Sequence, residues 1–413
     1  MVYAVTGSDA VKMPAVDMGD MRDGNKDRFA EKLGHALFNV GFVALSGIDP
    51  EVARLRDELH RHLQKFFSLG HDVKSQYRIG ADGQRGYTPL GVEQSGTANY
   101  GADTEKEPGK EDFTEWREHI MTGERIPPGH PLEAYQRRGY QPNNRLIKEV
   151  PELIPTAEQL QVALQETELL LYEGAEIALG LKHGTLAAVH VYGNSSIRSH
   201  YYPAIPREDI LGENEEPRGY KTLRARVFDP MIKDYRTFNR LIRAAPHKDV
   251  DTSAFLLGAT RRGLRIKARG GGFIPFTAEP DQIVFNGGDY MEHVTGGHWP
   301  SPLHFVELDA SMAEFFRTSI VLFSHPRLCS VVGPVGRFAT PENERSYPPT
   351  LEGVLLYRRL KAIGYPVDLP TEEAKVHETN RELSDEKLVD KILSWEDANG
   401  VNRLRRYYPK KKD

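Results

Sequence analysis

Two histidines and one aspartate in the second half of the chain have the spacing of a metal-binding set. His247 and Asp249 are separated by one residue, and His304 follows further along the chain. A strand places residues i and i+2 on the same face, so His247 and Asp249 can converge on one ion while His304 arrives from another strand. Two imidazoles and one carboxylate on one side of an ion leave its other side open. This ligand set predicts a mononuclear non-haem iron site with room for further ligands.

Arg317 and Ser319 form a second pair at the same spacing of two residues. On a strand, the guanidinium and the hydroxyl would lie side by side. Arginine binds carboxylates through bidentate, charge-assisted hydrogen bonds that lysine cannot reproduce. Because a buried guanidinium without an anion is costly, this pair predicts a carboxylate-binding site rather than an ordinary strand pair.

The sequence around these residues resembles the isopenicillin N synthase-like family of Fe(II)/2-oxoglutarate dioxygenases. Residues 286–306 resemble the region around the distal histidine of that family, residues 200–203 its Asn-Tyr-Tyr-Pro segment, and residues 263–266 its Gly-Leu-x-Val strand. In the N-terminal half, further similar segments follow in the order of the family: residues 13–17, 40–45, 65–69 and 85–91. The resemblance covers the chain from about residue 13 to about residue 326.

The resemblance implies that iron is held by His247, Asp249 and His304. It also implies that the distal carboxylate of 2-oxoglutarate docks on Arg317 and Ser319, with a hydrogen bond from Tyr202. Dioxygen is then the second cosubstrate, succinate and carbon dioxide are the co-products, and an unactivated C–H bond is oxidised. Hydroxylation, desaturation and oxidative cyclisation remain open, and no separate acid or base is assigned. His293 and His298 are the competing ligand candidates, which we expect to be structural or surface residues.

The substrate side of the site is predicted from the strand that contains Tyr202. Alternation places Arg198 and His200 on the face of Tyr202. Arg198 could meet a substrate carboxylate or form a structural salt bridge, and His200 stands where the family commonly has asparagine. Further substrate-contact candidates are Arg85, Tyr87 and Phe323. Together with a possible lid of arginines after Pro203, these residues lead us to expect a small metabolite that bears a carboxylate.

The segment between Pro203 and Ala244 is longer than the family link leads us to expect. It contains an acidic turn at residues 208–217, followed by a basic and aromatic stretch: Arg224, Arg226, Phe228, Tyr235, Arg240 and Arg243. A surface insertion is one interpretation, because loops accept extra length at a small entropic cost. The other is a lid that presents arginines to an anionic substrate. The role of this segment stays open.

Composition and periodicity favour a mainly β fold with flanking helices. The chain has 413 residues, of which 39% are hydrophobic and 27% charged, enough to bury a large core. Helical patterns cover residues 26–40, 50–70 and 156–181, and short β-rich runs fill residues 187–335. Residues 71–155 are turn-rich, and residues 351–363 and 384–399 look helical. We predict a double-stranded β-helix, or jelly-roll, core with an N-terminal helical cover and C-terminal helices.

Three regions follow from this pattern. They are an N-terminal cover at residues 13–155, an oxygenase core with its linking helix at residues 156–335, and a charged helical extension at residues 336–413. The single cysteine, Cys329, excludes an intramolecular disulfide framework. The net charge of -5 argues against a nucleic-acid-binding footprint, and no apolar run reaches the roughly 18 residues of a membrane span. We expect a cytoplasmic monomer or homodimer that acts on a small molecule, in secondary metabolism.

Two alternative functions remain at this point. An oxidase of the isopenicillin N synthase kind would use no 2-oxo acid, and its Arg317 and Ser319 would bind the carboxylate of the substrate. A noncatalytic metal-binding module on the same scaffold is the more distant alternative. The basic end of the chain at residues 403–412 also allows either a solvated terminus or a nucleic-acid patch, of which the terminus is favoured.

Overall fold

The computed structural model describes most of the chain from residue 13 to residue 410. The ranges outside the description are 1–12, 81–82, 91, 96–112, 138, 206–209, 215–221, 230–233, 239–241, 268–272, 277–278, 280, 308–313 and 411–413. Within residues 210–242 only the backbone of the strands is described.

The strands fall into two groups separated by a long helix. In chain order they are β1 (Ala15–Asp17), β2 (Phe42–Ser46), β3 (Arg78–Ile79), β4 (Arg85–Thr88), β5 (Gln94–Ser95), β6 (Phe113–Thr114), β7 (Glu118–Gly123), β8 (Ser196–Tyr202), β9 (Ile210–Asn214), β10 (Thr222–Asp229), β11 (Asp234–Phe238), β12 (Ile242–His247), β13 (Ser253–Ala259), β14 (Leu264–Lys267), β15 (Phe273–Pro275), β16 (Ile283–Gly287), β17 (His304–Glu307), β18 (Arg317–Ser324), β19 (Val331–Val332) and β20 (Thr350–Leu351).

Helices precede, interrupt and follow these strands. They are α1 (Gly19–Arg22), α2 (Lys26–Asn39), α3 (Pro50–Phe67), α4 (His71–Ser75), α5 (Glu133–Arg137), α6 (Leu153–Leu179), α7 (Ala187–His190), α8 (Asp289–Val294), α9 (Pro341–Ser346), α10 (Glu352–Ala362), α11 (Leu369–Glu382) and α12 (Asp385–Asn399), with a short 3-10 helix at Gly336–Phe338. None of the helices in the described part of the chain has the length and apolarity that crossing a bilayer requires.

The core consists of a large and a small sheet. The large sheet has nine strands in the order β1-β2-β16-β13-β18-β8-β7-β4-β3, and the small sheet has four in the order β12-β17-β14-β15. All pairings in both sheets are antiparallel except the parallel pair of β1 and β2. Residues of both sheets line one cavity. This is the predicted double-stranded β-helix core, with the functional residues between its two sheets.

The helical cover forms where the periodicity predicts it. Asp49 caps α3 by accepting a hydrogen bond from the backbone N–H of Glu51, and Pro50 occupies the first turn. Helices α2 and α3 both pack on α6. At Gly174 of α6, a Cβ atom would lie 2.5 Å from the ring of Phe29, so glycine permits the close approach of α2. The cover therefore belongs to the same hydrophobic core as the sheets.

Residues 71–155 contain more sheet than the expected loops with short elements. Strand β7 pairs with β8 and β4, and β3 with β4, so this region extends the edge of the large sheet. All six residues of β7 are buried although several are polar. Glu118 forms an ion pair of 2.8 Å with the buried Lys74, which satisfies both charges inside the protein.

The C-terminal extension packs on the core. Leu388, Ile392 and Leu404 are fully buried in the main hydrophobic cluster, and Gly400 ends α12 in the left-handed conformation with φ of 67°. The basic terminus is paired with acidic residues: Arg403 lies 2.5 Å from Glu124, and Arg406 contacts Glu173. The extension therefore has intramolecular partners up to its last turn.

The long segment after Pro203 forms a separate three-stranded antiparallel sheet in the order β11-β10-β9. The predicted lid contacts of Arg224, Arg226, Phe228 and Tyr235 depend on side chains outside the described residues, and Arg240 is outside them altogether. The lid stays a prediction.

Candidate metal centre

The structure brings His247, Asp249 and His304 together where β12 ends and β17 begins. His247 is the last residue of β12 and pairs in register with His304, the first residue of β17. The expectation that His247 and Asp249 share one strand face was wrong, because β12 ends at His247. Asp249 lies in the link from β12 to β13, where its carbonyl accepts a hydrogen bond of 2.8 Å from the backbone of Asp289. The link between β12 and β13, rather than the alternation of side chains along a strand, directs the Asp249 carboxylate toward the imidazoles.

The three side chains lie within reach of a single ion. All candidate ligand atoms lie within 4.8 Å of one another. Nε2 of His247 is 3.5 Å from Oδ1 of Asp249, and Nε2 of His304 is 3.6 Å from Oδ2. Nδ2 of Asn286 donates a hydrogen bond of 2.9 Å to the same Oδ2. Nδ1 of His304 lies 3.1 Å from the carbonyl of Pro302, so each of these two ligands is oriented by a second group.

The surroundings of His304 and Asp249 favour the protonation states in which these two side chains bind a metal. Burial lowers the pKa of His304 to about 4, which keeps the imidazole neutral near pH 7. Burial alone would raise the pKa of Asp249, but the two imidazoles and the Asn286 amide hold it well below its usual range. Neutral imidazoles and an ionised carboxylate are the forms that bind a metal. The donor set therefore fits a divalent iron ion.

Arg317 and Ser319 lie on β18, side by side and buried. A guanidinium N–H of Arg317 donates a hydrogen bond of 3.1 Å to Oγ of Ser319, and Nε donates one of 3.1 Å to the carbonyl of Arg261. Tyr202 is opposite Arg317 in the register of β8 and β18, with its ring 5.0 Å from the guanidinium. Among the described residues no carboxylate contacts Arg317, so this buried cation has the environment of an anion site.

Arg198 takes the structural alternative. Its guanidinium contacts the carboxylate of Glu93, so the structure does not bring it to a substrate carboxylate as an unpaired cation. Arg117 lies 2.7 Å from the same Glu93 and also contacts Glu115. His200 is buried opposite Ser319, and its Nδ1 has no hydrogen-bond partner among the described residues. Burial lowers the pKa of His200 well below its usual value, so the ring is neutral.

Two of the remaining substrate candidates lie away from the cavity. Arg85 is buried, with one guanidinium N–H donating 2.7 Å to the carbonyl of Gln84 and another 3.2 Å to the side-chain oxygen of Asn194. The hydroxyl of Tyr87 donates to Glu118. Neither residue lines the cavity, whereas Phe323 on β18 does. A substrate contact through Arg85 or Tyr87 therefore has no geometric support.

The two competing histidines lie outside the ligand cluster. Nδ1 of His293 is 2.8 Å from the carbonyl of Asp289, and its ring lies beside Tyr347. The ring of His298 lies between Phe38 and Phe338, at 5.1 and 5.4 Å. Both histidines lie apart from the ligand cluster and contact other parts of the protein.

One cavity of about 930 Å³ connects the metal centre with the anion site. That volume lies in the range of pockets that enclose small organic molecules. Some residues in the walls of this cavity have no signal in the sequence. His60 on α3 lies 2.9 Å from the hydroxyl of Thr318, and α10 contributes Leu356 and Arg359. No local motif marks these residues, because α3 and α10 are distant in sequence from the ligands.

Two family models match the chain on either side of α6. Residues 13–148 match the model described as the N-terminal region of non-haem dioxygenases in morphine synthesis. Residues 193–326 match the 2OG-Fe(II) oxygenase superfamily. Together they include most of the chain and all residues of the metal and anion sites. Residues after 326 lie beyond both matches.

Individual relatives agree with these matches. The chain is 21% identical over 339 residues to oxoglutarate-dependent flavonoid 7-O-demethylase 1 of Ocimum basilicum, which covers 81% of this chain and 74% of the relative. It is 25% identical over 343 residues to 2-oxoglutarate-dependent dioxygenase citB of Monascus ruber, covering 79% and 88%. The crystal structure of a full-length Neurospora crassa protein in complex with alpha-KG superposes with a TM-score of 0.63 at 21% identity, covering 86% of this chain and 98% of that protein, and supports the fold.

Proposed function

The chain belongs to the non-haem Fe(II)/2-oxoglutarate-dependent dioxygenases, and we propose that it hydroxylates an unactivated C–H bond of a small organic metabolite in secondary metabolism. Iron, 2-oxoglutarate and dioxygen are the cofactor and cosubstrates of this family. In the proposed reaction, one oxygen atom of dioxygen enters the product and the other enters succinate, while 2-oxoglutarate loses carbon dioxide. Two relatives support a secondary metabolite as the substrate class: the flavonoid 7-O-demethylase of Ocimum basilicum and the dioxygenase citB of Monascus ruber.

The observation that carries the proposal is the shared cavity of the two sites. His247, Asp249 and His304 would hold iron, which supplies the place where dioxygen is activated with the electrons released by oxidative decarboxylation. Arg317, unpaired with any described carboxylate, opens into the same cavity and is suited to the distal carboxylate of 2-oxoglutarate.

The protein residues orient the reactants and exclude water. Ser319 and Tyr202 border the Arg317 guanidinium and would fix the distal carboxylate from two sides. Asn286 fixes the Asp249 carboxylate, so the ligand set is oriented before a metal binds. Arg317, Asp249 and His304 are buried, so water screens the charge interactions of these side chains less than it would at the surface.

The proposal is tested by following 2-oxoglutarate and product in the same reaction under ¹⁸O-labelled dioxygen. Iron-loaded protein should form succinate slowly without a prime substrate and faster with one. The product of a true substrate should gain one labelled oxygen atom, or lose a methyl group as formaldehyde if the hydroxylated carbon is an O-methyl.

Other results would replace the proposal. A product that loses two hydrogens without gaining oxygen would indicate desaturation or cyclisation. Dioxygen uptake without consumption of 2-oxoglutarate would indicate an oxidase. Iron binding without any turnover would indicate a binding module.

A further inference from the structure

Three arginine side chains from separate parts of the chain meet at the anion site. Arg317 lies on β18, Arg243 on β12 and Arg261 in the link between β13 and β14. A guanidinium N–H of Arg243 donates a hydrogen bond of 2.8 Å to the carbonyl of Phe315, and Nε of Arg261 donates one of 3.1 Å to the carbonyl of Phe316. Because these two phenylalanines directly precede Arg317, the three guanidinium groups lie close together. They are called the arginine cluster below.

Arg243 and Arg317 contact the same aromatic ring. The guanidinium of Arg317 lies 5.0 Å from the centroid of the Tyr202 ring, and that of Arg243 lies 5.8 Å from it. Arg243 is 4% exposed and does not line the cavity, whereas Arg317 and Tyr202 do. Arg243 therefore acts on a ligand in the cavity through its charge and through Tyr202, not by direct contact.

The hydrogen bonds of the arginine cluster go to neutral acceptors. Arg243 and Arg261 donate to backbone carbonyls, and Arg317 donates to a backbone carbonyl and to the hydroxyl of Ser319. Nη1 of Arg243 is buried without a hydrogen-bond partner in the part of the chain that the structure describes. Burial and, after it, the charge of Arg317 lower the pKa of Arg243 to about 10, so this guanidinium is still a cation near pH 7.

Two carboxylates near the cluster are paired with other cations. Asp57 lines the cavity on α3, and its Oδ1 lies 2.8 Å from Nε of Arg56. Glu118, which influences the neighbouring Tyr201, forms the buried ion pair with Lys74. Among the described residues no carboxylate contacts the arginine cluster itself. The cluster is therefore an excess of positive charge in a largely buried place, which is favourable only when a ligand supplies negative charge.

We propose that Arg243 is a positioning residue of the cosubstrate site, whose charge adds to that of Arg317 and makes the site selective for a 2-oxo acid with a charged distal end. Contact with Arg243 also holds the Tyr202 ring beside Arg317. This inference rests on the proposed function, because it takes the distal carboxylate of 2-oxoglutarate as the ligand of Arg317. The sequence grouped Arg243 with the arginines of the insertion, but its side chain packs on Tyr202.

Two 2-oxo acids that differ only at the distal end test this role. 2-Oxoglutarate carries a distal carboxylate, and 5-methyl-2-oxohexanoate carries an uncharged isopropyl group of similar shape. Both chelate iron through the same 2-oxo acid group, so a charge-transfer absorption band reports the binding of either one. Full-length protein with Fe(II) is titrated anaerobically with each acid, so that turnover does not enter the measurement. The ratio of the two dissociation constants is the selectivity of the site for distal charge.

Substitutions of Arg243 should change this selectivity according to charge. Arg243→Met removes the cation and should lower the selectivity by about tenfold. Arg243→Gln keeps a donor for the Phe315 carbonyl, should have a similar effect, and decides the question if Arg243→Met is unfolded. Arg243→Lys should retain the selectivity within about threefold, because Arg243 acts through its charge and not through a bidentate contact.

Arg145→Met is the matched control. Arg145 likewise donates a hydrogen bond to a backbone carbonyl, that of Gln76 at 2.7 Å, and it does not line the cavity. Its substitution should leave the selectivity unchanged. Thermal unfolding checks that each variant is folded.

Unchanged selectivity in a folded, uncharged Arg243 variant would overturn the inference. So would an equal loss in Arg243→Lys or in the Arg145→Met control. Equal weakening of both 2-oxo acids would also overturn it, since a structural role disturbs the site without regard to distal charge. If neither uncharged variant folds, Arg243 is required by the fold and the inference fails as well.

The wild type and Arg317→Met report the proposed function separately. A band that forms with 2-oxoglutarate in the wild type and is lost in Arg317→Met would support the proposed function whatever the Arg243 variants show. The absence of a band in the wild type with Fe(II) and 2-oxoglutarate would refute the proposed function itself.

Discussion

Removing the amide of Asn286 should weaken iron binding without unfolding the protein. Its Nδ2 lies 2.9 Å from Oδ2 of Asp249, and both residues are buried. A carboxylate can only accept hydrogen bonds, so the amide nitrogen must face it. A hydrogen bond to a charged group contributes about 1.5–3 kcal/mol. Because this bond orients the carboxylate toward both imidazoles, much of that free energy should appear in metal affinity.

Asn286→Ala is therefore expected to lower the affinity for Fe(II) by about 10- to 100-fold. The assay is an anaerobic titration of Fe(II) against a competing chelator, with the unfolding temperature of each variant measured in parallel. Asn144→Ala is the control, because the Asn144 amide donates to the carbonyl of Gly123 and to Glu158, which do not line the cavity. Iron affinity within twofold of wild type in folded Asn286→Ala, or an equal loss in the control, would refute this role.

Three further predictions concern the cosubstrate site, a buried carboxyl group and the insertion. Arg317→Lys keeps the charge but loses the planar guanidinium, so the apparent affinity for 2-oxoglutarate in initial-rate assays should fall by at least about tenfold. Ser319→Ala should lower this affinity by less. An unchanged affinity in Arg317→Lys would contradict the assignment of Arg317 to the cosubstrate carboxylate. Burial raises the pKa of Glu168 to about 7, so the folded state holds this proton more tightly than the unfolded state. The free energy of unfolding should therefore fall as the pH rises from the pKa of Glu168 in the unfolded state through about 7, by an amount on the order of 3 kcal/mol. Denaturant titrations at about pH 5 and about pH 8 measure this fall, and Glu168→Gln should abolish it. The same pH dependence in wild type and Glu168→Gln would contradict the prediction. Trimming residues 208–236 to a short Gly-Ser link should raise the substrate KM and the uncoupled formation of succinate, whereas unchanged coupling in a folded variant would show a surface elaboration.

Local signals in the sequence predicted the elements whose own residues determine them. Asp49 and Pro50 predict the start of α3. The apolar spacing of α2 and α6 predicts helix ends that lie within a few residues of the observed ones. Strand β7 escaped detection because its alternation contains buried polar residues, and Glu118 becomes compatible with burial only through Lys74. That pairing depends on the tertiary structure and has no local signature.

In the candidate site, too, the sequence predicted residues with a local signal but not those whose role depends on tertiary contacts. Residue type, spacing and family resemblance identified the metal ligands and the Arg317 pair, but the strand geometry assumed for Asp249 was wrong because β12 ends two residues earlier. Arg198 could not be assigned from its strand, since its partner Glu93 lies 105 positions away in sequence. The contribution of α10 to the cavity wall was equally hidden, because an amphipathic helix has the same sequence pattern whether it covers a core or borders a cavity.

The most direct test of the central claim is an anaerobic titration of the wild-type protein with Fe(II) and 2-oxoglutarate, monitored by visible absorption, in parallel with His304→Ala. Wild type should develop a metal-to-ligand charge-transfer band that needs both additions, and exposure to oxygen should remove the band and release succinate. His304→Ala should remain folded, since an open metal site contributes little to the stability of a chain this large, and should give neither band nor succinate. A wild-type band and turnover in folded His304→Ala would contradict the assignment of the metal centre.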